Sequence, residues 1–244
     1  MKPFLMIETG TPVPSLRRHG GFGHWIRVAA GLGGRQVQHC HVHDGETLPD
    51  ARKYAGVLIT GSGAMVTERL DWSERCADWL RNAAEAGQPL FGICYGHQLI
   101  AHALGGEVDY NPRGREMGTV TVSTLPGAAA DPLFDGLGET FAAHATHLQT
   151  VVAPPPKATV LARSGLDDCQ AFRWGDAAWG VQFHPEFSAG IMRGYIQARS
   201  EALASEGSCH RTLISEVRPA PLARRVLRRF IHVARARAEQ GETA

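Results

Sequence analysis

Cys94 lies in the stretch PLFGICYGHQLIAHALGG with Gly92 two residues before it and Gly96 two residues after. An apolar run ends at the cysteine and a helical pattern begins beside it, so the backbone must turn sharply there. Glycines at these positions let a strand and a helix approach closely while one side chain is pushed out of the core, as a G-x-S-x-G elbow does for serine. A sulfur so placed meets a helix N-terminus, which favours its thiolate. The N–H of Tyr95 would then stand where an oxyanion can be held. The chemistry this suits is acyl transfer by a thiolate, which needs a base and a group that orients the base. Taken alone, the stretch also suits a buried core cysteine among packing glycines.

The base candidate comes from WGVQFHPEF. An apolar strand delivers His184 at its end, Pro185 stops the ladder from continuing, and Glu186 follows two positions on. Residues two apart in an extended segment point to the same side, so Glu186 can hold one ring nitrogen of His184 while the other faces a thiol. Twelve histidines are present, so a lone one means little. His97 and His102 fall on the helix after Cys94 and suit its faces better than a second base. HCHVHD (39–44) has a metal-like composition, but its alternation suits an edge or half-buried strand with His39, His41 and His43 on one side and no partnered cysteine. No metal site and no cofactor are assigned.

These residues must be positioned by elements that the rest of the sequence supplies. FLMIE, YAGVLITGSG and QPLFGI are apolar without alternation, as parallel strands buried on both faces are. Helices are expected from Phe22 to Leu32 and from Asp71 to Ala86, the latter with Trp72, Cys76, Trp79, Leu80 and Ala83 along one face. RQVQHCHV, GTVTVS and ATVLA suit strands, and CQAFRWG with AAWGVQFHPE suits a hairpin returning to the sheet. Helices are expected over 190–204 and from Pro219 to Gln240. The fold predicted is α/β: an open, flavodoxin-like, mostly parallel central sheet with helices on both faces and the elbow at a strand C-terminus.

The chain has 244 residues, within reach of one α/β unit. We divide it into residues 1–205, carrying both motifs, and a basic helical extension, 206–244, docked on the same domain. From Arg211 to the end the extension holds eight Arg against three Glu although the whole chain is near neutral at +1, so any nucleic-acid or membrane contact must be met there. Its Leu222, Val226, Phe230 and Val233 form an apolar stripe with Arg224, Arg225, Arg228 and Arg229 mainly off it. That pattern suits a docked amphipathic helix first, a surface for a partner protein or acidic ligand second, and nucleic acid least, since no aromatic interleaving accompanies it. Five scattered cysteines argue against a disulfide scaffold and fit a reducing cytoplasm. No apolar stretch is long enough for a membrane span, and the start suits a first strand rather than a secretion signal.

LFGICYGHQLIAHALGG together with GVQFHPE resembles the triad-type, class I glutamine amidotransferases, in particular the glutaminase domain of GMP synthases and its stand-alone relatives. The resemblance runs from about Phe4 to Ser200 and includes GVLITGSGAMV, GREMGTVTV and DPLFDGL. It implies that Cys94 is the nucleophile and that His184 and Glu186 are its base and orienter. It also implies an oxyanion hole from Tyr95 and the loop after the third strand. That loop normally has the form G-G-P and here is Gly61-Ser62-Gly63, so Ser62 and Gly63 stand where the family has Gly and Pro. Gln98 corresponds to a residue bordering the glutamine pocket. The family's S-H-x-D or S-H-x-Q segment fits Thr146, His147 and Gln149, with His144 a rival in another register. Gly61, Gln98, His147 and Gln149 are thus the implied substrate contacts.

The activity implied is hydrolysis of the glutamine side-chain amide, with ammonia passed to a separate ATP-dependent synthetase, because no phosphate-binding G-x-x-x-x-G-K-[ST] motif occurs. Two alternatives remain. One is a γ-glutamyl hydrolase using the same triad on a larger amide, and the other is a non-catalytic binding or regulatory protein.

Overall fold

A computed structural model of the protein describes residues 1–241. Residues 242–244 of the expected extension lie outside the described residues. Strands β1 (Phe4–Glu8), β2 (Val37–His41), β3 (Gly56–Ile59) and β4 (Leu90–Ile93) are followed by β5 (Glu107–Tyr110), β6 (Glu116–Thr124), β7 (Thr140–His147), β8 (Gln149–Ala153), β9 (Thr159–Arg163), β10 (Ala171–Trp174) and β11 (Ala178–Val181). Among the described residues, nine of them form one sheet in the order β2-β1-β3-β4-β11-β10-β9-β6-β7, and β5 pairs with β8 apart from it. β1 to β4 and β11 are mutually parallel. Beyond β11 every pairing is antiparallel, so β9 and β7 run with the parallel set and β10 and β6 against it.

The apolar strands lack alternation because both faces are covered. Phe4 and Met6 of β1 point to one core, with Leu58, Phe91 and Trp179 from neighbouring strands. Onto it pack α1 (Phe22–Ala30) and α7 (Pro221–Gly241) through Ile26, Ala29, Val226, Leu227 and Phe230. Leu5 and Ile7 point the other way, with Val57, Ile59 and Leu90, beneath α2 (Asp71–Glu85) and α3 (Tyr95–Ala103). The side chains of a strand alternate between faces, so each pair of neighbours in β1 feeds two cores.

A third cluster joins Phe22, Trp25, Met117, Phe187, Met192 and Leu203, where α4 (Ala189–Ala198), α5 (Ser200–Ser205) and α6 (His210–Glu216) lie. The single helix expected over 190–204 is broken at Arg199, which separates α4 from α5. The α7 helix is held by polar bonds as well as by its apolar stripe. Arg228 Nε donates to the Ala29 carbonyl at 2.9 Å, Arg229 to those of Leu133 and Asp135, and Arg237 to that of Asp176 at 2.6 Å. Among the described residues no helix is long and apolar enough to cross a membrane.

Candidate active site

Cys94 ends β4 and caps α3, with its backbone at φ 52° and ψ −101°. A positive φ is strained for a residue with a β-carbon, and the surrounding contacts fix it. A β-carbon on Gly92 would lie 2.3 Å from the Gly96 carbonyl oxygen, and one on Gly96 would lie 2.6 Å from that of Ile59. Strand and helix therefore touch backbone to backbone, and the cysteine side chain is turned out above the sheet edge. Its thiol is oriented toward the Thr146 carbonyl oxygen, 3.9 Å away.

β11 lies beside β4 with Val181 opposite Ile93, so the chain leaving β11 emerges next to the elbow and carries His184 to it. The His184 N–H donates to the His144 carbonyl at 2.8 Å. Its ring is stacked on Phe187 at a centroid distance of 4.1 Å and faces Phe22 at 6.4 Å on the other side. Nδ1–H donates to Glu186 Oε1 at 2.7 Å. That bond makes Nδ1 the donor to Glu186 and leaves the buried Nε2 as the nitrogen available to Cys94. His144 contributes only its backbone here; its Nδ1 pairs with Thr119 Oγ1 at 3.2 Å.

The two side chains shift each other's protons. Burial works to raise the Cys94 thiol pKa, but the adjacent His184 charge, its hydrogen bond and the charge of His147 outweigh this and pull it below the ordinary thiol value. Burial works to lower His184, and the charges of Glu186 and the Cys94 thiolate outweigh it and raise the imidazole. Each side chain thus favours the charged form of the other, which lowers the thiol and raises the imidazole.

A cavity of about 110 Å³ lies over the sulfur and is lined by Cys94, Tyr95, Ser62, Gly63, Gln98, His147 and Gln149, together with Ala64, Met65, Arg115, Thr146, Leu148 and Arg199. Tyr95 occupies the first position of α3, where a helix N–H has no partner within the helix. Gly61 lies against the pair itself: a β-carbon there would sit 3.2 Å from His184 Cε1 and 3.8 Å from Cys94 Cβ. The Gly61-Ser62-Gly63 loop is pinned. Ser62 Oγ donates to the Thr9 carbonyl at 2.7 Å and accepts from Ala64 N–H at 3.1 Å, while Thr9 Oγ1 donates to the Gly61 carbonyl at 3.0 Å.

The polar residues on the cavity wall are turned inward. Gln98 Nε2 donates to the Gln149 carbonyl and to Gln182 Oε1, both at 2.8 Å. The Gln149 amide accepts from Val66 N–H at 3.1 Å and donates to Thr67 Oγ1 at 2.6 Å, so it braces the turn after the Gly61-Ser62-Gly63 loop. His147 is buried with both ring nitrogens engaged, Nδ1 donating to the Gln149 carbonyl at 2.9 Å and Nε2 meeting Glu116 Oε2 at 3.0 Å. Burial works to lower its pKa, and the Glu116 bond with the charges of Asp167 and Glu116 outweighs it, so the ring is held protonated.

The Glu116 carboxylate also accepts from Ser164 Oγ and from Gln170 Nε2, each at 2.5 Å. Glu116 falls within GREMGTVTV, one of the stretches that carry the family resemblance, but no chemical pattern there singles it out. The signal is the β6–β7 register, which sets it opposite His147. Arg115, in the same stretch, and Arg199, in the helix expected over 190–204, were likewise not singled out as site residues. The histidine-rich run ends as a strand at His41, and a 3-10 turn over Val42–Asp44 takes His43 off the shared face. There His43 Nδ1 donates to the Glu8 carbonyl at 2.9 Å, and His39 Nδ1 meets Glu8 Oε1 at 2.9 Å. The turn brings ligand atoms of His41, His43 and Asp44 within 4.8 Å of one another, a convergence that strand alternation does not produce.

Residues 21–200 match the family model of the class-I glutamine amidotransferases. The chain belongs to that family. Against a glutamine-hydrolysing GMP synthase from Aeropyrum pernix, this amidotransferase-family chain is 37% identical over 142 residues, 58% of its own length, and spans about a quarter (25%) of that relative. Against γ-glutamyl peptidase 4 of Arabidopsis thaliana it is 27% identical over 197 residues, 78% of each chain. A glutamine amidotransferase of known structure from Thermotoga maritima shares the fold, with a TM-score of 0.76, 20% identity and coverage of 96% and 98% of the two chains. Class-I amidotransferase relatives of both kinds are amide hydrolases, and the central sheet with its flanking helices is the family's.

Proposed function

We propose that the protein hydrolyses the side-chain amide of glutamine through a thioester on Cys94. The observation that carries this is Cys94, held at positive φ between β4 and α3 on the wall of a small cavity, with the His184 imidazole beside it anchored from behind by Glu186. Cys94 attacks the amide carbon, and the N–H groups of Tyr95 and of the Ser62–Gly63 loop hold the charge that develops on the oxygen. His184, protonated at Nε2, gives that proton to the departing ammonia. It then takes one from the water that releases glutamate. Glu186 keeps the ring in the tautomer both steps need.

Ammonia passes to a separate synthetase in this reading, which the much greater length of the GMP synthase relative supports. One observation favours a second reading: the γ-glutamyl peptidase matches over most of both chains. In that reading the same thioester forms from a larger γ-glutamyl amide and no partner is needed. The experiment is a rate comparison of the purified protein on glutamine and on γ-glutamyl peptides, with Cys94→Ala as the control. Slow glutamine turnover that rises with a synthetase, and is abolished in Cys94→Ala, is the expected result. Fast unassisted turnover of bulky γ-glutamyl amides with negligible glutamine turnover would replace the first reading by the second. Turnover that survives in Cys94→Ala would remove both.

A further inference from the structure

The cavity over Cys94 has an unequal charge lining. Arg115, His147 and Arg199 line it and, among the described residues, no Asp or Glu does. Two of the three cations are already spent. Arg115 makes a bidentate pair with Glu206, Nε to Oε2 at 2.8 Å and Nη2 to Oε1 at 2.9 Å. His147 is held by Glu116 at 3.0 Å. Arg199 is different: among the described residues its guanidinium makes no hydrogen bond or ion pair, and it stands at the break between α4 and α5. Both amide donors of Gln98 are engaged, by the Gln149 carbonyl and Gln182 Oε1, and one of the two on Gln149 is engaged by Thr67, so among these side chains the charge complementary to an anion rests on Arg199.

Any γ-glutamyl amide carries an α-carboxylate at the far end of a three-carbon chain from the amide that Cys94 attacks. Buried against this wall, that carboxylate needs a cationic partner, and a planar guanidinium matches both of its oxygens. We propose that Arg199 is the specificity-determining residue of the site, clamping the α-carboxylate of the γ-glutamyl substrate. This rests on reading the cavity as a γ-glutamyl amide site, and it holds for glutamine and for larger γ-glutamyl amides alike. Residue 199 stands between α4 and α5 on the wall of the cavity and of the adjoining groove beside residues 11–17, while Glu206, just after α5, neutralises Arg115 and leaves Arg199 as the open guanidinium. The site thereby selects on the carboxylate end of the substrate and places the amide carbon at the sulfur.

The test uses the full chain and alkylation of Cys94, so it does not depend on water completing the cycle. Two probes are compared: 6-diazo-5-oxo-norleucine, which keeps the α-carboxylate, and its α-carboxamide derivative, with iodoacetamide reporting intrinsic thiol reactivity. Labelling is located by mass spectrometry. In the wild type the carboxylate probe should react far faster than the carboxamide. Arg199→Ala should lower its rate about 10- to 100-fold, the loss of one bidentate charge-assisted contact, and bring the two probes together. Iodoacetamide rates should stay equal in both proteins. Arg199→Lys should recover part of the preference, as a point charge would. Equal preference for the carboxylate probe in wild type and Arg199→Ala would overturn the assignment while leaving the γ-glutamyl reading intact. Failure of the wild type to be labelled at Cys94 by the carboxylate probe would overturn both.

Discussion

Glu116 stands directly opposite His147 across the β6–β7 ladder, and its carboxylate meets the ring at 3.0 Å from within the protein. The ring in turn lines the cavity over Cys94 and contributes a charge that lowers the thiol. A buried carboxylate that never reaches the cavity thus acts on the sulfur through a histidine.

The Glu116→Gln variant should therefore raise the thiol pKa, because His147 loses the partner that keeps it protonated. Titration of the Cys94 alkylation rate against pH would show the acid limb moving upward. Stability should fall by about 1–3 kcal/mol, the penalty of a buried donor left facing a donor, measured by denaturant unfolding. The sign with pH follows from His147, whose folded pKa is raised. Its contribution is fully present below the unfolded value and is lost as pH rises through the folded one. The variant should lose this part of the pH dependence. An unmoved alkylation profile would show that His147 does not communicate with the sulfur.

The pH profile of the native protein follows from the shifts of Cys94 and His184. In the proposed mechanism activity needs the thiolate and the imidazolium together. It rises as Cys94 loses its proton, at a pH below the ordinary thiol value of about 8.5. It falls only when His184 loses its proton, at a pH above the ordinary imidazole value of about 6.5. The ultraviolet absorbance of the thiolate, compared with Cys94→Ala, reports the first limb directly. A thiol titrating at or above the free-cysteine value would contradict the ion pair.

How far the sequence anticipated this depends on whether a signal was local. The strands β1, β3, β4 and β11 were legible because burial on both faces leaves an uninterrupted apolar run. Strand β7 was not, since TFAAHATH has little β-branched content and two histidines. It is a strand because β6 pairs with it along its full length. The seven-residue α6 was missed for want of any apolar period. The same division holds at the site. Cys94 between glycines and His184 two residues from Glu186 are local patterns, whereas Glu116 and His147 are 31 positions apart and meet only through the register. Arg199 lines the cavity at the break between α4 and α5, and nothing in the surrounding composition announces that break.

Ser62→Ala should lower kcat about 10- to 100-fold with little change in KM, since the hydroxyl that ties the loop to the Thr9 carbonyl at 2.7 Å would be gone. The loop's backbone donors would then spend less time in line with the developing oxyanion, whereas ground-state binding would be nearly untouched. A steady-state comparison decides it: an increase in KM alone would mean that the loop binds substrate and does not stabilise charge.

Phe230→Ala should destabilise the protein by about 3–5 kcal/mol. The ring is fully buried, 5.1 Å from Phe91 and 6.1 Å from Trp179 by centroid, so its removal opens a hole between α7 and the middle of the sheet. Denaturant unfolding measures the loss. A change below about 1 kcal/mol would mean that α7 docks without supporting the core.

The arginines that fasten α7 end on uncharged carbonyl oxygens of Ala29, Leu133, Asp135 and Asp176. Ions in solution screen attraction between opposite charges far more than they weaken a hydrogen bond to a neutral group. The most basic stretch of the molecule is thus among the least sensitive to ionic strength in the way it is attached, and its positive charge is left uncancelled by the very contacts that secure it.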